Sequence, residues 1–269
     1  MTISLLNQTV VVTGGARRVG RSIALECAAA GANVAITFNT SENEARELVA
    51  QMRIEYSNAQ FECFQAEMSD ANQVRKLAND VVKTFGKVDA LVNNAAIFRR
   101  TPFETLTEND FDSHIASNLK APFLTSKIFG DIFVAQACGS IVNIADIHGL
   151  KPLKNYIPYC ASKAGLISLT EGFAKALAPH VRVNCVCPGT ILPPSETQGA
   201  STQSASTQGA STQSASDDYS DDVAQLIARV PLARIGSSLE IAQTVVFLIG
   251  GPQFISGAIL PVDGAEHLR

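Results

Sequence analysis

The chain has 269 residues, 46% hydrophobic and 17% charged, and its 21 basic and 25 acidic residues leave a net charge of −4. That is ample material for a large core, which excludes global disorder, and the missing basic excess argues against a nucleic-acid partner. No apolar run reaches about 18 residues, and MTISLLNQTVVVTGG enters a strand-like run without a basic leader, so neither a membrane span nor a secretory signal is expected and a cytoplasmic protein is.

In chain order, short and almost continuously apolar runs occupy Val10–Val12, Asn33–Thr37, Phe61–Gln65, Val88–Val92, Gly139–Ala145, Val181–Val186 and Ala258–Val262. Such runs suit parallel strands buried on both faces. Helical periodicity fills Arg21–Ala30, Ser41–Arg53, Ala71–Phe85, Glu108–Ala135, Cys160–Ala178 and Leu239–Ile249, with a short helix over Asp217–Val230. Strict alternation predicts right-handed crossovers and one α/β domain over residues 1–269, a Rossmann-type doubly wound parallel sheet of about seven strands. Sites in such sheets lie at the carboxyl ends of the strands.

One stretch breaks the alternation. Residues 197–206 read TQGASTQSAS, and residues 207–216 repeat the same ten letters. This small, polar, low-complexity segment cannot offset its ordering entropy by burial, so a flexible surface insertion is expected at about 195–217. The six cysteines are scattered apart from Cys185 and Cys187, which strand alternation places on one face. Without a second pair or a histidine cluster, they read as reduced thiols rather than a metal site.

The first strand runs into Thr13-Gly14-Gly15-Ala16-Arg17-Arg18-Val19-Gly20 and then a helix. Glycines permit a tight turn and close backbone approach, while a helix N-terminus offers free N–H groups to a pyrophosphate. An NAD site wants a carboxylate about 20 positions after the turn. Here Thr37-Phe38-Asn39-Thr40-Ser41 has none before Glu42, which favours NADP(H), with Arg18 adding positive charge.

Tyr159 and Lys163 stand four apart at a helix start, 13 and 17 residues after Asp146, which closes the buried run Ser140–Ala145. A nearby ammonium stabilises phenolate and makes the tyrosine a proton donor–acceptor near neutral pH. Asn118 precedes Lys120-Ala121-Pro122, Asn93-Asn94-Ala95-Ala96 ends the fourth strand, and Pro188-Gly189-Thr190 ends the sixth. Together these resemble the short-chain dehydrogenase/reductase superfamily from Thr13 to Gly264. The resemblance implies a Rossmann-type subunit, hydride transfer with NAD(P), a homotetramer and a small-molecule substrate. It also implies catalytic Asn118, Asp146, Tyr159 and Lys163, the last two also touching the cofactor.

By position, the resemblance assigns Gly14, Arg17, Arg18, Val19 and Gly20 to the phosphates, and Asn39, Thr40 and Ser41 to the 2′-phosphate. Glu67 and Met68 would flank adenine, Asn93, Asn94 and Ala95 the adenosine side, and Pro188, Gly189, Thr190 and Ile191 the nicotinamide. The superfamily usually has Ser where this chain has Asp146, and in that respect the chain is similar to the pteridine reductases. Arg18 and Phe98 stand where that branch meets its pterin, so Arg18, Phe98, Asp146 and Tyr159 are the expected substrate residues. Arg99 and Arg100 follow, where they would attract an anionic tail, and His148 and Tyr156 border the site. Three departures remain: Arg18 replaces a glycine, Thr40 an arginine, and Ala265 the second glycine of the terminal VDGG. The expected activity is NADPH-dependent pterin reduction. The alternatives are a 3-oxoacyl-thioester or other carbonyl reductase, against which a carboxylate at 146 argues, and a non-catalytic dinucleotide sensor.

Overall fold

A computed structural model describes residues 3–191 and 223–269. The decamer repeat and the acidic start of the expected helix over 217–230 lie outside the described residues. Seven strands, β1 (Thr9–Val12), β2 (Asn33–Phe38), β3 (Phe61–Gln65), β4 (Ala90–Asn93), β5 (Gly139–Ile144), β6 (Val181–Pro188) and β7 (Ile259–Val262), form one sheet. Their order is β3-β2-β1-β4-β5-β6-β7, and every pair is parallel. The order reverses between β1 and β4, so the crevice opens at the carboxyl ends of those two strands.

Both faces of the sheet are covered. In β1, Val10 and Val12 point to one cluster and Val11 to the other, all at 0% exposure, which is why the run lacks polar alternation. The first cluster takes α1 (Arg18–Ala29), α2 (Glu42–Glu55) and α8 (Ser238–Gly250). The second takes α3 (Ala71–Phe85) and α5 (Ala121–Ala135), with Phe129 and Phe133 wholly buried. α6 (Ile157–Ala176) packs on β6 on that same side, and α7 (Val223–Arg229) is what the structure describes of the helix expected at 217–230.

One expected helix is not continuous. The run Glu108–Ala135 divides into α4 (Glu108–Ile115), a π-helical turn over Ala116–Lys120, and α5. Periodicity alone missed the extra residue, because a π turn leaves the apolar stripe on either side nearly intact. Wide turns of this kind recur at functional sites, and this one carries Asn118.

A buried polar ladder joins the layers below the crevice. Asn93 donates to Ser126 Oγ at 2.9 Å and to Asn143 Oδ1 at 2.8 Å, and its own Oδ1 accepts from Thr125 Oγ1 at 2.6 Å. Asn143 then donates to Thr170 Oγ1 at 2.9 Å. The ladder ties β4 to β5, and both to α5 and α6. It occupies the Asn93 side chain inside the protein, which leaves the backbone for the nucleotide contact expected at this position. Removing a partner from a buried network leaves groups unsatisfied at about 1–3 kcal/mol each. Asn143→Ala should therefore lower stability by at least about 2 kcal/mol in reversible denaturation. A loss under about 0.5 kcal/mol would show that the ladder is dispensable.

Candidate active site

The first βα turn forms one wall of a cavity of about 650 Å³. Thr13 Oγ1 accepts from the N–H groups of Asn94 and Ala95 at 2.9 and 3.1 Å, while Asn94 Nδ2 donates to the carbonyls of Thr13 and Gly14. These bonds clamp the ends of β1 and β4 together. A Cβ on Gly20 would lie 2.3 Å from the Gly14 carbonyl oxygen, so this position admits no side chain. No side chain caps α1, whose first-turn N–H groups are left for a ligand. The cradle and the free helix start together fit a dinucleotide pyrophosphate.

Arg18 sits at φ +49, in the left-handed region that the family's glycine adopts without strain. The conformation costs a non-glycine residue roughly 1–2 kcal/mol. Arg18 lines the dinucleotide cavity and is absent from the lining of the second cavity, where a substrate would lie. Gly14, Arg17, Val19, Gly20, Asn39, Thr40, Ser41, Glu67, Met68, Asn94 and Ala95 line the same cavity as Arg18, together with Thr37 from the window Thr37–Ser41. Ser113, Ala116 and Ser117 also line it, with no signal in the sequence pointing to them. Asn39 donates to Glu67 Oε2 at 2.6 Å, and Arg17 forms an ion pair with Glu44 at the rim.

At the carboxyl end of β5, Asp146 meets Tyr159 from the first turn of α6. The Tyr159 hydroxyl lies 2.7 Å from Asp146 Oδ2, while Asp146 Oδ1 accepts the His148 N–H at 2.8 Å. Burial is the largest influence on the Asp146 carboxyl and raises its pKa above the ordinary range, against the lowering effects of His148, Tyr159 and Lys163. Lys163 is 3% exposed and donates to the Ile144 carbonyl at 2.8 Å, with Nζ 5.7 Å from the Tyr159 ring centre. Its burial lowers the ammonium pKa. Asn118 is buried against Ile97, accepting that residue's N–H at 2.8 Å and donating to its carbonyl at 2.9 Å. The structure thus brings Asp146, Tyr159 and Lys163 together, and Asn118 reaches the same helix by donating to Ser162 Oγ at 3.2 Å.

Phe98 has one ring face covered. Its ring stacks on Tyr156 at 4.6 Å and meets Tyr159 edge-on at 4.7 Å. His114, unmarked in the sequence, is wholly buried with its ring 6.4 Å from that of Tyr159, and burial holds it toward the neutral form. The second cavity, of about 790 Å³, is lined by Phe98, Ile147, His148, Tyr156 and Thr190 together with the C-terminal Glu266, His267 and Arg269. Glu266 accepts from Thr190 N and Oγ1 at 2.9 and 3.0 Å and so fixes the loop after β6. Gly189 approaches Asp263, and Ile191 pairs with Gly236. No pattern in the sequence pointed to the C-terminal residues.

Cys185 and Cys187 do share a face of β6, with their sulfurs 3.9 Å apart in the core beneath Ile147. No metal-binding cluster occurs among the described residues, and no helix there is long and apolar enough to cross a membrane.

Comparison with known proteins agrees with the architecture. The family model for short chain dehydrogenase matches residues 8–204. The chain belongs to that family, and it is an NAD(P)-dependent short-chain oxidoreductase. It is 31% identical to a Staphylococcus aureus protein named 3-oxoacyl-(acyl-carrier-protein) reductase FabG, over 98% of this chain and 99% of that one. An uncharacterized oxidoreductase of Thermotoga maritima is 34% identical over 96% and 97% of the two chains. Among solved structures, levodione reductase superposes with a TM-score of 0.85 at 26% identity, covering 98% of each chain. ElxO with NADP bound gives 0.83 at 27% identity, over 97% of this chain and 99% of that one.

The raised pKa of Asp146 has a consequence for stability. Its folded value lies above the unfolded one, about 3.9, so the native state holds the extra proton. The resulting stabilisation is complete below the unfolded pKa and is lost as pH rises through the folded one. Asp146→Asn keeps a polar side chain but cannot ionise. Its stability relative to wild type should rise as pH increases from below about 4 through neutrality, followed by denaturant midpoints. A pH-independent difference would contradict the shift.

Proposed function

We propose that the chain is an NADPH-dependent carbonyl reductase, with 3-oxoacyl thioesters as the substrate class to test first. The observation that carries this reading is the 2.7 Å contact between Tyr159 and a carboxyl that burial pushes toward its neutral form. By residue type alone, a carboxyl at 146 opposes carbonyl reduction, because a carboxylate repels a developing oxyanion. A neutral acid has no such charge and can donate a hydrogen bond as a hydroxyl does. The curated relatives named 3-oxoacyl-(acyl-carrier-protein) reductase support the same reading.

Bound nicotinamide supplies the hydride to the carbonyl carbon. Tyr159 gives its proton to the carbonyl oxygen, with Asp146 as the second donor. Lys163, anchored on the Ile144 carbonyl, supports the phenol from below, and Asn118 fixes the chain at Ile97. NADPH rather than NADH is supported by the lack of any carboxylate from Thr37 to Ser41 and by Arg17 at the same rim. Glu67 bonded to Asn39, and Glu44 paired with Arg17, weigh on the other side.

Pterin reduction is the second reading. The carboxyl at 146 favours it, because it could pair with the amino and ring N–H groups of a pterin. The stacking of Tyr156 on Phe98 weighs against it, since that ring face is covered. The test is turnover of acetoacetyl thioesters and dihydropterins with NADPH and with NADH, by wild type and by Tyr159→Phe. The expected result is thioester reduction preferring NADPH and lowered about 10²–10⁴-fold in the variant. Turnover of dihydropterins alone would replace this reading with the second. Activity retained in Tyr159→Phe would remove the tyrosine as the proton donor.

A further inference from the structure

The lining of the second cavity combines two kinds of side chain. Near the reaction centre its lining is apolar and aromatic, with Phe98, Ile147 and Tyr156. Elsewhere the described lining carries five cationic side chains, Arg100, Lys151, Lys154, Arg229 and Arg269, against one carboxylate, Glu266. Over the described residues as a whole the charges nearly balance, 21 basic against 20 acidic, because five of the chain's acidic residues lie outside them. The single carboxylate is already committed, since both of its oxygens accept from Thr190. Arg100 and Arg229 hold partners of their own, and Arg269 donates to the Ala228 carbonyl. Lys151 and Lys154 are exposed and form no ion pair among the described residues. They project from the loop between Asp146 and Tyr159, so the segment that presents the acid pair also presents two uncommitted ammonium groups.

A concave site lined by one sign of charge focuses its field and raises the local concentration of oppositely charged ligands. We propose that this cavity takes a substrate bearing an anionic group, a phosphate or a carboxylate, at the end remote from the reduced carbon, and that Lys151 and Lys154 recognise it. This rests on the reductase reading for the identity of the reacting end, but the charge preference can be measured by binding alone.

The experiment is calorimetric titration of the NADP⁺-loaded full chain with two matched pairs of probes. The first pair is 4′-phosphopantetheine and pantetheine, and the second is folate and biopterin. In at least one pair the anionic member should bind at least about tenfold tighter, as expected for charge-assisted hydrogen bonds. The pair that responds identifies a phosphate or a carboxylate as the group recognised. The double variant Lys151→Gln/Lys154→Gln should lose that preference and keep its affinity for the neutral member, with its circular dichroism unchanged. Equal affinities within both pairs, no binding by either anionic probe, or a preference that survives in the double variant would overturn the proposal. Turnover of the neutral acetoacetyl N-acetylcysteamine thioester judges the reductase reading separately. Failure there with an intact charge preference would sink that reading and leave this one standing.

Discussion

The contact between Asp146 and Tyr159 fixes the site, because it joins the carboxyl end of β5 to the first turn of α6 at the one place where both reach the crevice. Placing a carboxyl there carries a desolvation cost, and the surroundings limit it by local means. The His148 N–H holds one oxygen and the Tyr159 hydroxyl the other, while packing shifts the acid toward its uncharged form. A protonated acid can donate a hydrogen bond in the place where the family usually has a hydroxyl. Lys163 is subject to the same constraint with opposite sign, since its burial favours the neutral amine and its hydrogen bond among the described residues goes to a backbone carbonyl.

The rest of the fold supports that point at increasing distance. The buried ladder Asn93–Asn143–Thr170 stiffens the sheet beneath it. The π turn sets Asn118 against Ile97, and Thr13 locks the nucleotide turn to the end of β4. Polar groups this deep are stable only when their hydrogen bonds are nearly complete, which makes their positions unforgiving. A site built on them is preorganised, so binding nucleotide requires little rearrangement of the described residues that hold the reacting groups.

Much of this was legible in the residues. The seven strands were, because buried parallel strands leave continuous apolar runs, and β3 and α3 coincide with their expected limits. The nucleotide turn was legible because glycine spacing is a backbone requirement, and the Tyr159–Lys163 pair because four residues make one helical turn. What stayed hidden depends on contacts distant in sequence. The occupation of Asn93 inside the ladder needs Thr125, Ser126 and Asn143. The stacking of Tyr156 on Phe98 joins two loops, and the Glu266 contact brings the C-terminus to the end of β6. The upward shift of the Asp146 pKa was not legible in its residue type, because it comes from burial that no local pattern encodes.

The raised pKa of Asp146, which keeps its neutral form to higher pH than an ordinary aspartate, is the claim to test. Isotope-edited infrared spectroscopy of the Asp carboxyls, with Asp146→Asn subtracted, reads that state directly as the C=O stretch of a protonated acid. The expected result is that this band persists above the ordinary aspartate value, about 3.9, and disappears only as pH rises further. A carboxylate signal that titrates at the ordinary value would contradict it.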